Sequence, residues 1–249
     1  MKSRNRHKYY SILIFLGIII GNLQAYSNGP PNGRSGAPGE LTCQNGCHSS
    51  FALNSGSGSV VIENAPTEYS PGETYLLTVH VMHPTQHRWG FELCARTESN
   101  GQGGTISVVQ PSLTTTGTQG GITYLKQISA GTFNGQTSGA TWNFSWTAPA
   151  ESTGPVTFYA SGNAANGNGN TFGDYIYTTS FTSDEMEVCV ASGDVNFDMN
   201  VDVLDIVTLV GAILGTVQLT TEQICAADMN GDGNLDVLDI VSLVNIIVG

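Results

Sequence analysis

DVNFDMNVDVLDIVTLVGAILG, residues 194–215, returns without gaps as DMNGDGNLDVLDIVSLVNIIVG at residues 228–249, and 14 of the 22 positions are identical. Each copy is an acidic loop followed by an apolar run at helical spacing, so the two together form a duplicated unit. Calcium is a hard cation that takes roughly six to eight oxygen ligands, and a loop of the EF-hand kind supplies them from positions 1, 3, 5, 7, 9 and 12. In the first copy those positions hold Asp194, Asn196, Asp198, Asn200, Asp202 and Asp205; in the second they hold Asp228, Asn230, Asp232, Asn234, Asp236 and Asp239. Position 7 would act through its backbone carbonyl. Two calcium ions are therefore expected, one in each loop (194–205 and 228–239). Position 6, where the loop turns sharply, is Gly233 in one copy and Met199 in the other. A side chain is strained there if the turn needs a positive φ, so the first loop is expected to bind the more weakly. No helix is expected to enter either loop, which leaves loop plus one helix, twice.

The charge pattern around this repeat limits the partners. Residues 184–249 carry 12 of the 20 acidic residues and no Lys or Arg. Nucleic acids and anionic lipids are held mainly through cations, so neither is an expected partner. Upstream, residues 59–188 contain short runs rich in β-branched and aromatic residues: SVVIENA, TYLLTVHVM, GFELCART, TISVVQ, TYLKQIS, ATWNFSW, VTFYASG and DYIYTTSFT. They are separated by turn sequences such as SPGE, NGQGG and AANGNGN, which is strand-and-turn patterning. Alternation in WNFSW puts Trp142, Phe144 and Trp146 on one face. About eight strands over this length suit a two-sheet β-sandwich, with a barrel as the alternative. The fold class is mainly β, with a small all-α module at the carboxy-terminal end.

At the other end, residues 1–25 join a basic start (Lys2, Arg4, Arg6, Lys8) to the apolar run SILIFLGIIIG and then Leu23-Gln24-Ala25. This is the pattern of a cleaved secretory signal, too short for a comfortable membrane span, and it predicts a chain exported from the cytoplasm. Beyond it only Arg34, Arg88, Arg96 and Lys126 oppose 20 acids, a net charge of 4 − 20 = −16. Residues 26–58 are rich in Gly, Pro, Asn and Ser and read as an irregular arm. Inside the arm, LTCQNGCHSS (41–50) sets Cys43, Cys47 and His48 close together. Three readings stand open: attachment of a c-type haem through both thiols with His48 on the iron, a Cys43–Cys47 disulfide pinning the arm, or a metal site with one further ligand. In TVHVMHPTQH, His80 and Met82 share one strand face and His83 the other, so each face offers a second ligand to a haem iron, and His87 follows. Cys94 reads as a buried thiol, while Cys189 and Cys225 flank the first loop at a spacing that permits a bridge.

Residues 194–249, with Asp at position 12 and the VLDIVxLV helix, resemble the type I dockerin, and residues 189–249 are taken as that module. The resemblance implies calcium binding and docking onto a cohesin, with contacts at loop positions 10 and 11, here Val203, Leu204, Val237 and Leu238. Its near-symmetric halves imply two alternative binding faces. The basic helix residues common in cellulosomal dockerins are absent, and apolar residues at those four positions could equally pack between the helices. The stretches NGPPNGRSGAPGE (28–40), YSPGETYLLTV (69–79), HPTQHRWGFEL (83–93), WNFSWTAPA (142–150) and GPVTFYASGNAANGNGNTFGDYIYTTS (154–180) resemble the reelin-type domain of bacterial secreted proteins, often called a choice-of-anchor domain. That resemblance implies an Ig-like sandwich joined to a retention device, and a Cys-x-x-Cys-His element beside the GAPGE stretch. Here the cysteines are three residues apart.

Three functions follow as expectations. The first is a secreted, calcium-binding protein that a cohesin or other surface assembly holds while its β domain is presented to an extracellular polysaccharide or protein. The second is an extracellular haem protein for redox or sensing work, tethered the same way. The third is an accessory in polysaccharide degradation. Glycoside hydrolysis requires a carboxylate pair across a cleft. No such pair, Ser-His-Asp pattern or phosphate loop is recognisable, so no enzyme is expected.

Overall fold

The computed structural model describes residues 27–150, 152–186 and 190–249. The signal segment and Cys189 lie outside them. The chain divides into two compact units, 1–185 and 186–249. Among the described residues no helix is long and apolar enough to cross a membrane.

The first unit has ten strands: β1 (Ser59–Glu63), β2 (Glu68–Tyr69), β3 (Thr74–His83), β4 (Arg88–Thr97), β5 (Thr105–Val108), β6 (Thr114–Gln119), β7 (Ile122–Gln127), β8 (Ser138–Thr147), β9 (Val156–Ala165) and β10 (Tyr175–Glu185). They form a four-stranded sheet, β1-β3-β8-β5, and a six-stranded sheet, β2-β10-β9-β4-β7-β6. Two separate sheets make this a sandwich and not a barrel. Eight of the strands fall on the runs expected from the sequence. The two others escaped notice for local reasons: β2 is two residues long, and β6 (TTTGTQ) has a glycine inside it and no large apolar residue.

The core follows from alternation. Trp142, Phe144 and Trp146 of β8 are all fully buried. Trp142 packs on Phe91 of β4 with ring centroids 4.5 Å apart, and Trp146 on Phe158 of β9 at 4.8 Å, so aromatic pairs join the two sheets. Each buried indole N–H finds a carbonyl, that of Gly131 for Trp142 and that of Gly103 for Trp146.

Strand β4 departs from simple alternation. Its inward residues Trp89, Phe91, Leu93 and Ala95 are buried in the core, but its outward residues Gly90, Glu92, Cys94 and Arg96 are buried too. The arm is the cause. It is irregular, as expected, yet it is packed against the outer face of the six-stranded sheet. The Arg34 backbone N–H and Glu40 reach Glu92 and Arg96 respectively, and Glu40 also accepts from the Tyr124 hydroxyl. Lys126 donates to the Pro30 carbonyl (2.8 Å), and Phe51 stacks on Tyr175 at 4.0 Å. Cys94, Ala37, Ile122 and Tyr124 form a small second core beneath it. Cys94 is a free, fully buried thiol beside the Ser35 hydroxyl, in line with the sequence reading.

The second unit contains α1 (Val203–Ile213), α2 (Thr221–Ala227) and α3 (Val237–Val248). The expectation that no helix enters either loop fails for the second copy, because α2 runs directly into Asp228. Its cause is a capping box, with Thr220 and Gln223 satisfying each other's backbone N–H groups. Val195, Leu209, Ala227 and Leu243 make the core of this unit.

Glu92 gives this fold a pH signature. Burial pushes its carboxyl up to about 7, against the help of the Arg34 N–H and of Lys126 at 3.8 Å. Between its ordinary value near 4.5 and about 7, the unfolded chain is ionised while the folded one still holds the proton. Stability therefore falls as pH rises through that window. Glu92→Gln keeps the acceptor for Arg34 and removes the titration. Urea unfolding at pH 5 and pH 8 is expected to show the variant gaining on the wild type at the higher pH, with little difference at the lower.

Candidate functional site

The chemistry suggested by the sequence falls in two places, the paired loops of the second unit and a cleft under the arm of the first.

In the first loop the carboxylate of Asp194 accepts the N–H groups of Asp198 (3.1 Å) and Met199 (2.9 Å), and Asn196 and Asp198 close turns onto the N–H groups two residues on. Asp202 caps α1 through the Leu204 N–H. Asp205 is fully buried and accepts from Val195, Asn196 and Asp202 at 2.8–3.0 Å, tying the loop to its helix. The second loop repeats this pattern: Asp228 accepts from Asp232 and Gly233, Asn230 and Asp232 close the same turns, Asp236 caps α3, and buried Asp239 accepts from Asn230 and Asp236. Asn200 and Asn234 occupy position 7 of their loops. Among the described residues, no three His, Cys, Asp or Glu side chains converge as a metal cluster. The loops alternate Asp with Asn, and their carboxylates are turned onto backbone amides.

The two loops differ where the sequence reading said they would. Met199 has φ +71° and Gly233 φ +81°, so position 6 does need the left-handed region. A second difference was missed. Position 4 is left-handed as well, with Phe197 at +62° against Gly231 at +72°. The signal was in the sequence, as a glycine in one copy facing a large residue in the other. Left-handed backbone costs a residue with a Cβ about 1–2 kcal/mol.

Val203, Leu204, Val237 and Leu238 do not pack between the helices. They are 61 %, 53 %, 63 % and 55 % exposed. Val207 and Val241, one turn further on, are 62 % and 52 % exposed, so each helix carries the same apolar stripe on its solvent side. Exposed apolar patches of this kind mark interaction surfaces.

Under the arm, Cys43, Cys47 and His48 line one pocket, together with Arg34, Phe91 and Asn163. Cys43 is buried, and burial pushes its thiol up to about 12, with the nearby Ser161 hydroxyl opposing the shift. Both thiols are free, so the disulfide reading is not the state seen here. His48 Nδ1 lies 2.8 Å from the carboxylate of Asp174, which is buried and also holds the Asn166 N–H. His48 Nε2 lies 3.2 Å from the Asn163 amide. The other ligand candidates sit elsewhere. His80 bonds to Glu63 of β1, and His83 is buried against Tyr175 with ring centroids 4.6 Å apart. His80, Met82 and His83 all belong to the four-stranded sheet, whereas the cleft is built on the outer face of the six-stranded one. His87 lies against the loop at Gly167. Cys225 is disulfide-bonded, and Cys189 lies outside the described residues.

Replacing both strained residues in the first loop, Phe197→Gly with Met199→Gly, is expected to stabilise the second unit by about 1–2 kcal/mol after the extra unfolded-state entropy of glycine is subtracted. The change is read as a rise in the helical melting midpoint at fixed calcium concentration.

The chain is similar to several known proteins. Residues 192–248 match the family model described as Dockerin type I domain. No curated protein matches the chain. Among solved structures, the chain is similar to the human F-spondin reeler domain (21 % identity, TM-score 0.40, 55 % of this chain and 96 % of that one) and to the Reelin-N domain of F-spondin (22 %, TM-score 0.41, 56 % and 95 %). It is also similar to a chain from a type I cohesin–dockerin complex of Clostridium thermocellum (9 %, TM-score 0.34, 53 % and 100 %). The duplicated loops and their capped helices thus coincide with the residues that match the type I dockerin domain, and they follow a two-sheet β-sandwich.

Proposed function

We propose that this chain is a secreted, non-catalytic attachment protein. Its dockerin folds around two calcium ions and docks onto a cohesin of a cell-surface or extracellular assembly, so that the β-sandwich is presented there. The observation that carries the reading is the pair of matching apolar stripes headed by Val203-Leu204 and Val237-Leu238, which are exposed and not consumed by internal packing. The calcium part rests on charge. Each loop places four Asp carboxylates within twelve residues, one of them fully buried, in a unit without Lys or Arg. Such a cluster is self-repelling until divalent cations neutralise it. Asp194, Asn196, Asp198, Asn200, Asp202 and Asp205 hold one ion, and Asp228, Asn230, Asp232, Asn234, Asp236 and Asp239 the other.

Circular dichroism and binding to a type I cohesin test this on the full chain. EDTA is expected to remove the helical signal and the binding while leaving the β signal, and calcium is expected to restore both. Val203→Asp with Leu204→Asp should leave binding through the second stripe. Adding Val237→Asp and Leu238→Asp should abolish it. Helix unchanged in EDTA sinks the calcium reading, and full binding by the four-residue variant sinks the docking surface.

A second reading concerns the cleft, and one observation favours it. Cys43, Cys47 and His48 line a single pocket, with His48 Nδ1 anchored on Asp174 and Nε2 held by the Asn163 amide alone, a contact that a ligand would displace. These residues fit a covalently attached haem: the two free thiols would hold it, His48 would ligate its iron, and Asp174 would orient the imidazole. When bound, such a group supplies one-electron chemistry. Protein secreted from a host with haem-attachment machinery is expected to show a Soret band that survives denaturing electrophoresis. A colourless protein with unmodified Cys43 and Cys47 rules this reading out.

A further inference from the structure

Beyond residue 25 the chain has four cations, and all lie in the β unit. Two are paired: Arg96 with Glu40, and Lys126 with Glu92 at 3.8 Å. Among the described residues, the guanidinium groups of Arg34 and Arg88 form no ion pair, although the charge of Arg34 acts on Glu92, whose carboxylate also takes its backbone N–H. Arg34 donates to the Asn45 carbonyl at 3.3 Å, and Arg88 to the Ser27 hydroxyl at 2.7 Å. Both arginines line pockets under the arm. Arg34 borders one and Arg88 the other, and the two share His48, Gly90, Gln127 and Asn163 as common walls. They are adjoining halves of one cleft.

Both halves are lined mainly by apolar surface. Pro30, Pro31, Phe91 and Cys43 line the first, and Trp89, Ala165, Ser27, Thr132, Asn170 and the Asp174 carboxylate, which is held by His48 and the Asn166 N–H, line the second. The shared floor depends on Gly90, because a Cβ there would come within 3.0 Å of the Gln127 side chain. Asn163 Oδ1 is buried in that floor without a hydrogen-bond partner. The net charge of 4 − 20 = −16 beyond residue 25 disfavours small, highly charged anions, so a ligand must gain part of its affinity from apolar burial.

We infer that this cleft binds an amphipathic organic dicarboxylate, with its apolar body against Pro30, Pro31 and Phe91 and its carboxylates on the guanidinium groups of Arg34 and Arg88. The inference deepens the second reading, since haem belongs to this chemical class, but it needs neither iron nor addition to the thiols. Planar guanidinium groups suit carboxylates because two parallel N–H donors meet two oxygens.

The test is a fluorescence titration of the full-length protein with protoporphyrin, a metal-free amphipathic dicarboxylate, and separately with its dimethyl ester. Saturable binding of the diacid is expected, weakened about tenfold or more both by esterification and by Arg34→Gln with Arg88→Gln. Arg34→Lys with Arg88→Lys should recover part of the loss. The ester comparison is made on one unaltered protein, so misfolding of a variant cannot imitate the effect. No binding of the diacid, equal affinity for diacid and ester, or unchanged affinity in the glutamine variant overturns the inference. The iron-free probe cannot give the covalent haem band, so this inference and the haem reading fail by separate measurements.

Discussion

Glu92 and Arg96 stand on the outward face of β4, where a strand of a solvent-faced sheet would carry solvated groups, yet both are buried. A charge buried without a partner is prohibitively costly, so this face requires a cover that brings partners with it. The arm meets that requirement with the Arg34 N–H, the Glu40 carboxylate and the Pro30 carbonyl that receives Lys126. Once the arm is held there, the cleft beneath it follows. Its walls are the arm on one side and Gly90, Gln127 and Asn163 on the other. An arm held in this way has no need of a Cys43–Cys47 bridge, and that leaves two thiols free beside a histidine.

The dockerin unit meets a similar constraint by other means. It has no cation with which to balance its carboxylates, so it spends them on backbone amides. Asp205 and Asp239 each close a loop and complete a capping box at the start of a helix. This accounts for the near-identity of the two loops despite their different residues at positions 4 and 6, because the hydrogen-bond pattern is set by the Asp and Asn side chains. It also accounts for the outward turn of the apolar stripes. Only one narrow face of each helix is needed for a core as small as Val195, Leu209, Ala227 and Leu243.

Much of this was legible in the residues. The 34-residue repeat, its ligand-like alternation and its position-6 asymmetry could be read directly, because loop chemistry is local and duplication makes it visible. The alternation of β8 told which residues of WNFSW face the core, and no long-range information was needed. What escaped notice lacked a local signal or had one that was overlooked: β2 is too short for a period, β6 carries no apolar face, and α2 was announced only by Thr220 and Gln223.

The sequence by itself determined the division into a β domain and a duplicated loop-helix module, together with the inward face of β8, since both follow from periodicity along the chain. Tertiary structure alone decided that the arm is part of the β domain, that Asp174 lies against His48 from 126 residues away, and that Val203, Leu204, Val237 and Leu238 face solvent. The physical reason is the same in each case. A residue's type states which partners it can satisfy, but whether it is buried, and against what, depends on segments distant in sequence that only the folded chain brings to it.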